Sequence, residues 1–119
     1  MLLGIDLGTG SAKALLLDID GTVINEASSS YPVQAPHPGW AESNPVDWWL
    51  AVAVAVRKVV EDREHQVRAI AKRCCEAQIA LSGQMHGVVL TDSLGKPLHS
   101  AILWADTRST QMLEVLSLA

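Results

Sequence analysis

The sequence has 119 residues, a formal charge of −4 and apolar side chains at 49% of its positions. A chain of this length is expected to form one domain and to bury roughly two-thirds of the surface it exposes unfolded, so a real core is possible and a disordered or fibrous class is excluded. The acidic balance, with no run of Lys or Arg longer than two, leaves no electrostatic footprint for nucleic acid or an acidic membrane and directs attention to small-molecule chemistry.

No basic segment precedes Asp6, and the longest uncharged apolar run, Trp48–Val56, is far short of the ~20 residues that span a bilayer, so no membrane association and a cytoplasmic location are expected. Leu2–Leu7 is a short apolar run that feeds a turn of small residues, which predicts a strand. Ala12–Asp18 and Thr22–Ile24 are two more apolar runs divided by Asp20-Gly21, a hairpin signal, so three antiparallel strands are expected to open the chain. Ser28–Asn44, rich in Ser, Pro and Gly, reads as a loop.

Asn44 as N-cap, Pro45 at the first helical position and Asp47 in the first turn predict a helix, with Trp49, Val52, Val56 and Val59 as its buried stripe. The polar patch Glu61–Gln66 precedes an expected short helix from Val67 to Cys75, whose adjacent Cys74 and Cys75 read as reduced thiols because a bridge between neighbours would be strained. Strands are expected at Gln78–Ser82, Val88–Thr91 and Ala101–Trp104, separated by turns at Gly83–Gly87 and Gly95–Pro97. Asp106 is expected to cap a last helix running toward Leu118. The order predicts an α/β domain with a mixed sheet.

Three constellations carry chemistry. In Asp6-Leu7-Gly8-Thr9-Gly10-Ser11-Ala12-Lys13, a turn of small residues lets backbone N–H groups approach phosphate oxygens, and Asp6 at the strand end can hold Mg²⁺ directly or through water. The spacing before Lys13 is not that of a Walker A loop, and a strand rather than a helix follows, which excludes the dinucleotide fingerprint. The second is Asp18-Ile19-Asp20-Gly21-Thr22-Val23, where the two carboxylates either flank a solvated turn or form the nucleophile and acid/base pair of a haloacid-dehalogenase-like phosphatase. The third joins Gln84, Met85 and His86 to Trp104, Asp106 and Arg108, all just beyond predicted strands, where α/β folds gather ligand groups. An amide and an imidazole can bond sugar hydroxyls, and an indole can stack on a sugar's apolar side.

The runs Gly4–Lys13, Gly39–Trp49, Gly83–Gly87 and Ala101–Arg108 occur in the order seen in the FGGY carbohydrate kinases, which this chain resembles; the Gln-Met-His-Gly turn is similar to that of the xylulokinase branch. The resemblance implies an actin-like, ribonuclease H-like ATPase fold of which residues 1–119 are the N-terminal lobe, with the C-terminal lobe absent. It implies ATP and Mg²⁺ as cofactors, Asp6 serving metal and phosphate, and Gly8, Thr9, Gly10, Ser11 and Lys13 as the phosphate turn. Gln84, Met85, His86, Trp104, Asp106 and Arg108 would face the sugar, a pentulose such as D-xylulose or another ketose or polyol. The family's general base lies in a Gly-Gly-Asp-type motif not found here, so the chain alone is expected to be inactive. Ala105, where Asn is common in the family, and a long Arg63–Ala77 stretch are departures that bear on which sugar is taken. An exposed Trp and Val surface predicts a homodimer.

Overall fold

A computed structural model describes residues 1–61 and 78–117, so the expected helix at Val67–Cys75 lies outside the described residues. Within them, the chain divides into two units, Met1–Tyr31 with Val46–Gln84 and Pro32–Pro45 with Met85–Ala119.

In the first unit, β1 (Leu2–Leu7), β2 (Ser11–Leu17) and β3 (Val23–Ser30) pair antiparallel in succession, and β5 (Gln78–Gly83) pairs parallel with β1, giving the order β3-β2-β1-β5. The turn between β2 and β3 forms because Gly21, at φ 88°, takes the left-handed conformation that costs other residues a Cβ clash. Strand β3 is longer than its apolar run: Ser28–Ser30, expected in a loop, pair with Ser11–Lys13 of β2. As an edge strand it gains its ladder from backbone bonds and needs no continuous apolar face.

Helix α1 (Pro45–Val60) begins where the capping residues place it. Its buried line is Ala51, Ala55 and Val59, while Trp49 is 71% exposed. The expected stripe is therefore corrected: Val59 holds, Val52 and Val56 flank the line partly buried, and Trp49 faces outward. The cause is volume. The helix lies on Ala14 and Leu16 of β2 through Ala55 and Val59, and on Ala12 through Ala51, so its line of closest approach is built from the smallest side chains. Asn25 of β3 donates its side-chain amide to the Val59 carbonyl at 3.1 Å, satisfying one of the orphan acceptors at the helix end. No helix among the described residues is long and apolar enough to cross a membrane.

The second unit is built mainly from loops. Its two-stranded sheet pairs β4 (Glu42–Ser43) with β6 (Ala101–Ile102), and α2 (Thr110–Ser117) follows. Two expected strands are corrected here. Val88–Thr91 makes only single bridges, Val88 to Ile102 and Thr91 to Pro97, and the strand expected to reach Trp104 stops at Ile102. Asp92 instead accepts the N–H groups of Leu94 and Lys96, drawing the chain into a tight turn. Beyond β6, Leu103 N–H bonds Ala41, and Asp106 N–H closes back on Leu103, turning Trp104 out to solvent.

Candidate functional site

The first unit brings the phosphate-turn candidates together. Helix α1 covers one face of the sheet; cross-strand register places Gly4 and Asp6 of β1, Lys13 and Leu15 of β2, and Ala80 and Ser82 of β5 on the other. These residues line an open depression of about 310 Å³. Asp6 pairs with Lys13 on one side and Ser82 on the other, so a carboxylate, an ammonium and a hydroxyl sit in one row. Lys13 is bound to Glu26 at 3.1 Å, with both side chains more than half exposed.

At the end of this row the chain reverses through Gly8, Thr9 and Gly10, closed by Gly8 N–H to Ser11 carbonyl at 2.9 Å. A Cβ on Gly8 would meet that carbonyl at 3.3 Å, so a side chain there presses on the turn itself. Two residues complete the turn. Tyr31, 8% exposed, donates its hydroxyl to the Gly8 carbonyl and its N–H to the Gly10 carbonyl at 3.0 Å. Gln84 donates its N–H to the Leu7 carbonyl at 2.8 Å, yet both polar atoms of its side-chain amide are buried without a partner among the described residues. Tyr31 is not among the residues that the sequence singles out; its sole signal there is an aromatic ring at the mouth of a loop, which names no partner.

Met85, His86, Trp104, Asp106 and Arg108 belong to the second unit. His86 holds φ at 62°, a left-handed conformation uncommon outside glycine, and Met85 is 71% exposed beside it. Trp104 is exposed on its turn. Asp106 and Arg108 are committed to each other: Arg108 Nε and Nη2 donate to the two Asp106 oxygens at 2.8 and 2.7 Å, and Nη2 also reaches Glu42 at 2.7 Å. The guanidinium lies 3.7 Å from the centre of the Trp40 ring, which is itself edge-on to His37. Asp106 further accepts the N–H of Ala41 and of Arg108. Arg108 above all, with the Ala41 N–H, holds the Asp106 carboxyl far below the usual carboxylate range against the opposing effect of desolvation. Asp106 thus caps no helix: α2 starts at Thr110, and the carboxylate ties the Ala41 and Arg108 segments together instead.

The phosphatase reading of Asp18 and Asp20 finds no support. Asp18 accepts the N–H of Ile19 and Asp20 that of Thr22, so both carboxylates shape their own exposed turn. The Thr22 bonds lower the Asp20 pKa, which opposes any role as an acid.

No three His, Cys, Asp or Glu side chains cluster as a metal cage among the described residues. The one carboxylate of Asp6 still fits Mg²⁺, which keeps several waters and meets proteins through one or two carboxylates plus substrate phosphates.

The chain matches the model of the FGGY family of carbohydrate kinases, N-terminal domain, over residues 1–118. It is 36% identical over 110 residues to a xylulose kinase of Staphylococcus epidermidis (strain ATCC 12228), covering 92% of this chain and 21% of the relative. It is 39% identical over 109 residues to the xylulose kinase of Bacillus subtilis, with the same coverage of 92% and 21%. Among solved structures, the xylulose kinase from Rhodospirillum rubrum superposes with a TM-score of 0.81 at 29% identity, over 98% of this chain and 22% of that one. The chain therefore spans about a fifth of the length of the relatives it matches.

Proposed function

Because the chain belongs to the FGGY family of carbohydrate kinases, we propose that it supplies the phosphate turn and part of the sugar site for ATP-dependent phosphorylation of D-xylulose to D-xylulose 5-phosphate. In this reading the first unit's sheet is the core of an actin-like, ribonuclease H-like ATPase lobe. The observation that carries the proposal is Gln84. Two buried amide atoms without partners cost about 1–3 kcal/mol each unless a ligand or water meets them, and the Gln84 backbone is bonded to Leu7, directly before the Gly8–Gly10 turn.

Asp6 would hold Mg²⁺ through water, and the metal would neutralise charge on the transferring phosphoryl group. The backbone of Gly8–Ser11 and the Lys13 ammonium position phosphate oxygens, which is most of what a protein contributes to phosphoryl transfer. In the second unit Met85, His86 and Trp104 are the proposed ketose contacts, with the left-handed His86 as a strained bend of the kind found at ligand clamps. Asp106 and Arg108 serve the sugar by fixing the Trp104 turn, since their own polar groups are engaged with each other and with Glu42. The exposed strip of Val46, Trp49, Leu50 and Val54 on α1 suits a homodimer, which sedimentation velocity measures directly.

A hybrid in which this chain replaces the matching fifth of a xylulose kinase tests the proposal through ADP release. D-xylulose is expected to stimulate more than D-ribulose, L-ribulose or glycerol, and no response to any pentulose refutes it. A stronger response to glycerol supports the second reading, a polyol kinase. The 119-residue chain by itself is expected to release no ADP.

A further inference from the structure

The Gly8–Gly10 turn makes one backbone bond of its own, from Gly8 N–H to Ser11, while two more reach it from a single residue at the end of β3. Tyr31 holds the Gly8 carbonyl with its hydroxyl and the Gly10 carbonyl with its N–H. A peptide unit is planar and, with no cis bonds among the described residues, its C=O and N–H point to opposite sides. Whatever fixes the Gly8 carbonyl therefore also fixes the direction of the Thr9 N–H. Glycine populates both signs of φ about equally, so in a sequence of Gly, Thr and Gly the orientation of that plane is set by the bonds made to it.

We propose that Tyr31 is a positioning residue of the nucleotide site, setting the orientation of the Gly8–Thr9 peptide so that the turn is preorganised for phosphoryl oxygens. The inference rests on the phosphate reading of this turn. Packing holds the ring in place: it sits in the cluster of Ala12 and Ala51, with Leu7, Trp48 and Val52 around it, so the hydroxyl cannot wander from the Gly8 carbonyl. Burial first, and the charge of Asp6 second, push the phenol above its usual value of 10.0, keeping it a protonated donor through neutral pH. Preorganised donors are what phosphoryl transfer requires, since dipoles that must reorient during reaction lose much of their effect.

The test uses the 119-residue chain, isotopically labelled, and its Tyr31→Phe and Tyr31→Leu variants. Phe keeps the packed ring and removes only the hydroxyl; Leu removes both. Amide resonances of Gly8–Ser11 are followed during titration with ATP and Mg²⁺, and with inorganic triphosphate as the phosphate-only probe. Tyr31→Phe is expected to weaken both ligands about tenfold, the size of one hydrogen bond, and to speed Thr9 amide exchange while the melting temperature stays near that of the parent. Equal binding by parent and Phe variant overturns the inference and leaves the phosphate reading standing. Loss confined to Tyr31→Leu also overturns it, because packing rather than the hydroxyl would then position the turn. A parent chain that binds neither ligand refutes the phosphate reading, and the inference falls with it.

Discussion

The unit of Met1–Tyr31 and Val46–Gln84 presses alanines and branched aliphatics between a helix and a sheet, whereas that of Pro32–Pro45 and Met85–Ala119 is pinned around one guanidinium and two carboxylates. The two respond differently to change. An apolar core loses stability in proportion to the volume disturbed. A hydrogen-bonded ionic hub fails when a single partner goes, because the remaining charges stay buried without compensation. Side chains of Asp106 and Glu42 are 2% and 7% exposed, so the hub is of this second kind.

The largest expected effect is therefore Asp106→Ala. It strips three hydrogen bonds from Arg108 and frees the Ala41 N–H, and exchange of the amides that tie the loops, Ala41, Leu103 and Thr107, is expected to accelerate on the order of a hundredfold, read by hydrogen exchange. Amides of β1 and β2 should keep their protection, and if they lose it equally the two-unit comparison fails. Acid is a gentler probe of the same hub. The folded-state pKa of Asp106 lies below the ordinary aspartate value of 3.8, so its contribution is complete above that value and drains away as pH falls beneath it toward the folded-state one. Local exchange in the second unit should rise in that window.

Next in size is Gly39→Ala, expected to cost about 2 kcal/mol and measurable as a lower denaturant midpoint. Gly39 sits at φ 79°, and a Cβ there would lie 2.5 Å from the Thr107 hydroxyl oxygen, which itself donates to the Gly39 carbonyl. Both the strain and the clash fall on the segment that brings Trp40 to Arg108. In the first unit the counterpart is Ala55→Leu. Ala55 is 1% exposed against Ala14 and Leu16, and overpacking there is expected to cost about 1–2 kcal/mol with little change in exchange at Ala41 and Thr107.

The same contrast explains what could be read from sequence. β1, β2 and the start of α1 follow from local rules: apolar runs, an Asp-Gly turn, and Asn44-Pro45 with Asp47 in the first turn. Alanine hid the helix face, because a search for large apolar residues at helical spacing selects Trp49, while close packing on a sheet selects Ala51 and Ala55. Ser28–Ser30 hid the end of β3 for a related reason, since the edge strand is held by backbone pairing with β2. In the second unit almost nothing is periodic. Asp106 carried a cap-like signature, and only its bonds to Ala41, 65 positions away, and to Arg108, which also holds Glu42, make it the hub. The bend between Asp6 and Lys13 was legible because small residues between two apolar runs are a local signal, and Tyr31 was not, because its bonds to Gly8 and Gly10 join residues far apart in sequence.

The smallest expected effect separates stability from binding within the first unit. Lys13 and Glu26 form an exposed pair, and such pairs contribute about 0–1 kcal/mol, so Glu26→Gln should leave the melting temperature nearly unchanged. Its consequence for ligands is different. The ammonium that Glu26 holds at 3.1 Å lies in the row with Asp6, and releasing it raises the local positive charge facing any phosphate in the depression. Binding of inorganic triphosphate is then expected to tighten about threefold at low salt, and the gain should vanish toward 1 M salt as the Debye length shrinks to about 3 Å. Lys13→Gln should abolish the gain in the double variant. A gain that survives without Lys13 assigns it to the lost charge of Glu26 alone and removes Lys13 from the phosphate turn.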